Sequence, residues 1–252
     1  MRVTMITTVV HDTDNIIIRD VPVSSTILEL EDSNLAIIDT GMAGNPDLLE
    51  QLAEYGYAPS DFSLVLNTHL HPDHIGGNRL FTNARILVSR RELAYEYSFS
   101  QMLQESEDPL AALRAIGRVV DHMTHQLSRD LKGLVQEYPA ASLVGDHGQI
   151  EFLEDDPHLP GYISLLQVPG HSIDSLAVLL QGKTRRLVVA GDALYHRDLW
   201  REDPLIGLHY NNRLFLQNAE FIARFPDIII PGHDRAFDNL NRQYLQDDSL
   251  MI

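Results

Sequence analysis

The chain contains no cysteine. That excludes disulfides, thiolate zinc sites, iron–sulfur clusters and cysteine nucleophiles. Basic residues are scarce. Lys and Arg number 19 against 36 Asp and Glu, giving a formal net charge of -17 with neutral histidines. The only basic clusters are the isolated pairs Arg90-Arg91 and Arg185-Arg186. A nucleic-acid partner, which needs a concentrated cationic surface, is therefore not expected. Long apolar runs are also missing, and none reaches the length that spans a bilayer. The N-terminal stretch, broken by Thr4, Thr7 and Thr8, makes a poor signal peptide. No membrane partner and a cytoplasmic location are the expectations. What is present is 252 residues, 44% hydrophobic and 22% charged. That is ordinary for one large α/β domain, or two small ones, with ample core. No repeat, linker or boundary shows, so 1–252 reads as a single domain.

Local patterns order the chain. Runs 2–10, 15–19 and 25–30 are rich in β-branched residues and read as strands. Leu35 to Ile38 is a wholly apolar run that ends in Asp39-Thr40-Gly41, a turn. Residues 46–55 have helical spacing, with Asn45 as N-cap and Pro46 at the first helical position. Phe62 to Leu66 is another buried-type strand. From 91 to 137 the pattern is mainly helical. Leu110, Leu113, Ile116, Val120, Met123 and Leu127 recur at three- or four-residue intervals as one apolar stripe after Asp108-Pro109. We read 91–137 as a helical insertion, packed over the active-site face or forming part of the outer helix layer. Strands are expected again at 142–144, 163–168, 176–180, 187–190 and 227–230, with a helix over 212–224.

Chemistry concentrates where the 62–66 strand ends. His69, His71, Asp73 and His74 fall within six positions. Histidine is the commonest nitrogen ligand for zinc and related metals. Residues two apart in an extended segment point the same way, so His69 and His71 can converge on one ion. Asp73 and His74, beyond the turn at Pro72, can address a second. Three distant segments share one grammar: an apolar strand, a Gly, then a metal-competent side chain. They deliver His171, Asp192 and His233. Ligands at strand ends sit on a rigid scaffold. Seven donors are too many for one ion of zinc type, which needs three or four, and they suit two. Asp192, with two carboxylate oxygens, is the natural bridge. Two divalent cations would also offset part of the negative charge.

This pattern resembles the metallo-β-lactamase superfamily, whose fold is an αββα sandwich with its metals at one edge of the two sheets. The resemblance covers essentially the whole chain. It implies an α/β, four-layer αββα sandwich in which His69, His71 and His171 hold one metal. Asp73, His74 and His233 hold the other, and Asp192 bridges. Asp39 matches a supporting position behind the ligands; as a residue read alone it is a turn former. The implied cofactors are two divalent ions, zinc first, with iron, manganese or cobalt as alternatives. The implied chemistry is attack by a metal-bridging hydroxide on a carbonyl or phosphoryl centre, with Asp73 orienting the water and passing its proton to the leaving group.

Within the superfamily the chain is most similar to the acyl-homoserine lactone lactonases. They carry a tyrosine where Tyr195 stands, three residues after Asp192. Tyr195 is either a hydrogen-bond donor to the substrate oxygen or a packed aromatic. True β-lactamases generally lack the aspartate bridge. Glyoxalase II carries a helical region after the last histidine, where this sequence has only a short stretch. Nucleases are disfavoured by charge, and flavin-linked diiron proteins usually have Glu where this chain has His71. A small-molecule lactone or ester is thus the expected substrate, with Phe99, Met102 and Leu103 as an apolar wall for an acyl chain. Thioester or phosphodiester hydrolysis, an iron-dependent oxidoreductase and a non-enzymatic metal scaffold stay open. A homodimer is the expected assembly. His196 and His209 either line the pocket or sit exposed in loops. His11, His122, His125, His147 and His158 read as structural or surface residues, and Leu199 and Trp200 as core or pocket wall.

Overall fold

The computed structural model describes residues 1–31, 33–118, 120, 123–198 and 209–252. His122, Leu199 and Trp200 lie outside them. Among the described residues the strands form two sheets. The larger is built from β1 (Arg2–Val9), β2 (Pro22–Glu29), β3 (Leu35–Ile38), β4 (Phe62–Leu66), β5 (Arg85–Val88), β6 (Ile150–Phe152) and β12 (Ser249–Met251), in the order β12-β1-β2-β3-β4-β5-β6. The smaller comprises β7 (Ile163–Gln167), β8 (Leu176–Gln181), β9 (Arg186–Gly191), β10 (Ile228–Pro231) and β11 (Phe237–Asp238), in the order β11-β10-β9-β8-β7.

The apolar strands are buried on both faces, and their alternation sorts the side chains into layers. Ile38, Leu64, Leu66 and Leu87 of the large sheet share one cluster with Val178, Leu180, Val189, Ile228 and Ile230 of the small one. The two sheets therefore pack face to face. Their intervening neighbours turn outward. Ile37, Val65 and Ile86 pack against Leu48 and Leu52 of α1 (Asp47–Glu54) and Ile75 of α2 (Pro72–Ile75). Val188, Ala190 and Ile229 pack under Phe215, Ala219 and Ile222 of α7 (Asn212–Ile222). The result is the αββα sandwich. Three helices, α3 (Arg90–Glu105), α4 (Pro109–Ala115) and α5 (His125–Glu137), share a cluster of their own built on Leu103, Leu110, Leu113, Met123 and Val135. A short α6 (Ala140–Leu143) follows.

Several local expectations change. The run 15–19 is a turn. Asn15 Oδ1 accepts from the Ile17 amide at 3.0 Å, and a single bridge joins Val10 to Arg19. The Asn side chain competes with strand pairing for the backbone. The stripe from Leu110 to Leu127 is two helices. The chain leaves α4 through Gly117 at φ +83, and Thr124 Oγ1 caps α5 by accepting from Leu127 N at 3.0 Å. Ile116, where the stripe breaks, is exposed. Residues 142–144 form no strand; α6 occupies the place, with Ser142 N donating to Pro139 O at 2.9 Å. The strands β5, β6, β11 and β12 were not expected.

Direction matters most for function. β3 and β4 run parallel, as do β9 and β10. β7 is antiparallel to β8 and β8 to β9, so β7 shares the direction of β9. The exits of β3, β4, β7, β9 and β10 lead to Asp39, His69, His171, Asp192 and His233 in turn. Gly170 makes the turn into His171 at φ +147. A Cβ there would lie 2.2 Å from Phe215 N and 2.4 Å from its Cα. The obstacle is backbone, which cannot rotate aside, and the φ is one that side-chain-bearing residues rarely adopt. Gly170→Ala should destabilise the fold by roughly 3 kcal/mol or more, read as a drop in the urea midpoint. A midpoint within experimental error of wild type would contradict this packing.

Candidate metal centre

The strand exits bring all seven sequence-predicted donors together. Ligand atoms of three groups each lie within 4.8 Å of one another: His69, His71 and His171; His69, His74 and Asp192; and Asp73, His74 and His233. Asp192 is central. Its Oδ1 is 3.2 Å from His74 Nε2 and 3.1 Å from His233 Nε2, and its Oδ2 is 3.2 Å from His171 Nε2 and 3.9 Å from His69 Nε2.

Each histidine is held by its other ring nitrogen or by a neighbour facing it. His69 Nδ1 meets Thr68 Oγ1 at 3.1 Å. His74 Nδ1 meets Asp39 Oδ2 at 2.9 Å. His171 Nδ1 meets the Tyr195 hydroxyl at 2.7 Å. His233 Nδ1 meets the Pro22 carbonyl at 2.8 Å. His71 turns Nδ1 inward, 2.9 Å from His171 Nε2, and its Nε2 faces Glu96 at 4.0 Å. Such outer partners fix the tautomer and the ring orientation of metal-binding histidines. Asp39 holds φ +57 and also accepts from Thr68 N and Thr68 Oγ1 at 2.8 and 2.7 Å. It is thus a turn residue and a buttress together.

Electrostatics follow from burial. Desolvation, with neighbouring imidazoles, holds His69 well below its usual range. Burial does the same for His171 against the pull of Asp192, and for His71, lowered to about 4. These rings stay neutral, the form in which imidazole binds a metal. At His74 burial opposes the proton, but Asp192, Asp73 and Asp39 together outweigh it and raise the group well above its usual value. His233 is raised against burial by Asp192. Burial would lift Asp192, yet His233, His74 and His171 hold it well below the carboxylate range. Tyr195 is pushed well above 10 by burial and by Asp192 and Asp73, so its hydroxyl keeps its proton.

The donor set fits divalent cations. Among the described residues, His69 Nε2, His74 Nε2 and Asp192 Oδ1 are fully buried and have no hydrogen-bond partner. Buried polar atoms normally find one. Atoms left unpaired while converging on one point match a space shaped for ions. A Cβ on Gly232 would lie 2.1 Å from Asp192 Oδ1, so the absent side chain leaves room for that carboxylate.

The donors open into a cavity of about 330 Å³. Its floor includes His71, Asp73, His171, Asp192, Tyr195 and His233, and the rest of its wall is mostly apolar: Ile16, Ile17, Phe99, Leu127, Leu131, Leu134 and Val135, with Glu96 and Arg118 among them. A larger groove of about 1040 Å³, lined by Leu159, Leu165 and Phe221 among others, reaches none of the donors. Of the three residues expected as an acyl wall, only Phe99 lines the cavity. Leu103 and Met102 pack into the cluster shared by α3, α4 and α5. His196 lines the cavity. His209 is 2% exposed, stacked on Phe215 at 3.9 Å between ring centroids, and not a surface loop residue. His11, His125, His147 and His158 are exposed, as expected.

Two buried glutamates on α3 escaped sequence reasoning. Burial pushes Glu92 up to about 7 and Glu96 up to about 8, the latter with help from Glu92. The Ser89-x-x-Glu92 spacing was a signal for Glu92, but it resembles an ordinary helix start.

The family model of the metallo-beta-lactamase superfamily matches residues 18–233. The chain belongs to that superfamily of hydrolases. It is 46% identical over 223 residues to metallo-beta-lactamase domain-containing protein 1 of Mus musculus, covering 85% of this chain and 65% of that one. It is 23% identical over 247 residues to the N-acyl homoserine lactonase AiiA of Bacillus thuringiensis subsp. kurstaki, covering 85% and 82%. Among solved structures it is similar to AidC, a dizinc quorum-quenching lactonase in complex with a product, N-hexanoyl-L-homoserine. The TM-score is 0.60 at 17% identity, over 85% of this chain and 73% of that one. No helix among the described residues is long and apolar enough to cross a membrane.

Proposed function

We propose that this protein opens a lactone or ester bond in a small molecule with an apolar acyl part, using two divalent metal ions, zinc first among them. The observation that carries the reading is one cavity with two unlike surfaces. Five of the seven metal-competent donors line its floor, with the buried His69 and His74 in contact with them, and side chains of α3 and α5 with Ile16 and Ile17 make a mostly apolar wall. In this reading His69, His71 and His171 would hold one ion, Asp73, His74 and His233 would hold the other, and Asp192 would serve both. Bound there, the ions would supply Lewis acidity and water activation at neutral pH.

The chain's own residues do the rest. The apolar wall takes up the acyl chain and keeps bulk water from it. With its Nε2 given to an ion, His171 would carry its hydrogen on Nδ1 and donate to the Tyr195 oxygen 2.7 Å away, which leaves the Tyr195 proton free for the carbonyl oxygen of the substrate as it gains charge. Asp73 lies on the cavity floor, its Oδ2 3.8 Å from His233 Nε2. It accepts the proton released when water adds to the carbonyl carbon. It then returns that proton to the departing alkoxide as the carbon–oxygen bond breaks. The lactonase activity of AiiA supports this substrate class, and the strongly negative charge disfavours a polyanionic one.

The test is a substrate series with the purified protein supplied in turn with zinc, manganese, cobalt and iron. Lactones and aryl esters of increasing chain length should show kcat/KM rising by about fourfold per methylene until the wall is covered, from about 0.8 kcal/mol for each buried methylene. Thioesters and phosphodiesters run in parallel. Cleavage of either of these with no lactone or aryl ester opened would overturn the assignment.

A further inference from the structure

Ser89-Arg90-Arg91-Glu92 has the spacing of a capping box, in which the acid three residues after the N-cap turns back to the N-cap amide. Ser89 plays its part: its Oγ accepts from Glu92 N at 3.2 Å. The Glu92 carboxylate is used differently. Its Oε1 accepts from Leu70 N at 2.7 Å. Its Oε2 accepts from Ser172 Oγ at 2.8 Å and from Asp174 N at 3.2 Å. The residue is 1% exposed.

Those partners sit at informative places. Leu70 lies between His69 and His71, and Ser172 follows His171. The first loop leaves β4 of the large sheet, and the second leaves β7 of the small one. Among the described residues no ladder joins the two sheets; they meet mainly through apolar side chains, which set separation but little register, with a backbone tie from Ser24 N to Gly232 O at 2.8 Å beside His233. One backbone bond, Leu176 N to Thr68 O at 2.7 Å, ties the loop ends. Beside the His71–His171 contact at 2.9 Å, the Glu92 carboxylate supplies a further link, from a third element. Ser89 Oγ strengthens it by donating to Asp174 Oδ2. A carboxylate is suited to this task, since it accepts several charge-assisted bonds at once.

We propose that Glu92 is a positioning residue that fixes the His171 loop against the His69–His71 loop, and so sets the geometry of the three-histidine group. The proposal rests on the metal-centre reading for its consequence, though not for its structural content. Glu92 touches no ligand atom of that group and acts through the Leu70 amide between His69 and His71 and through the Ser172 hydroxyl beside His171.

Glu92→Gln and Glu92→Asp test it. The first loses acceptor capacity at one arm, and the second is too short to reach both loops. Hydrogen–deuterium exchange should quicken at 69–75 and 171–176 and nowhere else. In a chelator competition with zinc, one of two bound equivalents should lose affinity by about 10- to 100-fold, the usual cost of removing an outer partner. The other equivalent should keep wild-type affinity. Wild-type exchange in both segments overturns the proposal, as does equal loss at both metal equivalents or faster exchange throughout. A wild-type protein that binds no zinc would sink the metal reading alone, and local exchange would still decide the clamp. If either variant fails to fold, the other carries the measurement.

Discussion

Asp192→Ala is expected to lose at least about 100-fold in kcat/KM, since even outer partners of a metal centre are worth about 10- to 100-fold. It should also lose at least one bound metal equivalent. The reason lies in how many groups this one carboxylate serves. Its two oxygens stand within 3.9 Å of Nε2 atoms from His69, His74, His171 and His233. It is buried, and it is the main attraction that keeps a proton on His233 against the cost of burial. Its removal takes the shared carboxylate from His69 and His171 and leaves His74 and His233 only Asp73, at 3.7 and 3.8 Å, on that side. Truncating one side of a buried charge pair typically costs roughly 3–5 kcal/mol, so the melting temperature should fall as well. Elemental analysis and kinetics on the same preparation check the result. An Asp192→Ala protein that keeps two metal equivalents, or activity within tenfold of wild type, would remove Asp192 from the centre.

Stripping metal with a chelator should abolish hydrolysis and lower the melting temperature together, and zinc, manganese, cobalt or iron should restore both. The coupling is mass action. An ion that binds the folded chain at about 100 times its Kd adds roughly 2.7 kcal/mol to stability. For a chain near this length that is a shift of about 5–10 °C. The buried, unpartnered His69 Nε2, His74 Nε2 and Asp192 Oδ1 give the structural reason, because an ion supplies the partners they otherwise lack. Scanning calorimetry before and after chelation, with activity on the same samples, makes the measurement. Full activity with less than about 0.1 equivalent of metal would rule out the metal mechanism.

The parts of this protein differ in how far they were readable. The runs at 35–38 and 62–66 match β3 and β4, because a short, dominantly apolar run bounded by turn formers has one stable use in a doubly covered sheet. The repeated strand–Gly–donor grammar located His171, Asp192 and His233 because strand exits are a local property. Segments 15–19, 110–127 and 142–144 went differently. At 15–19 and 142–144 short side-chain or backbone bonds compete with strand pairing, and small energy differences decide. Between 110 and 127 the apolar period continues across Gly117, although the helix does not.

The sequence by itself determined the donor inventory, the two-face burial of the strands and the superfamily, since residue type, alternation and spacing are all local. Tertiary structure alone decided which nitrogen of each histidine faces the centre. It also turned Glu92 inward from its helix cap and buried His209 against Phe215. Those outcomes depend on two sheets meeting face to face without a shared hydrogen-bond ladder. Most of the contacts that set them join residues far apart in the chain, such as Glu92 with Leu70, 22 positions apart, and His233 with Pro22, 211 apart. No periodicity along the chain encodes such a meeting.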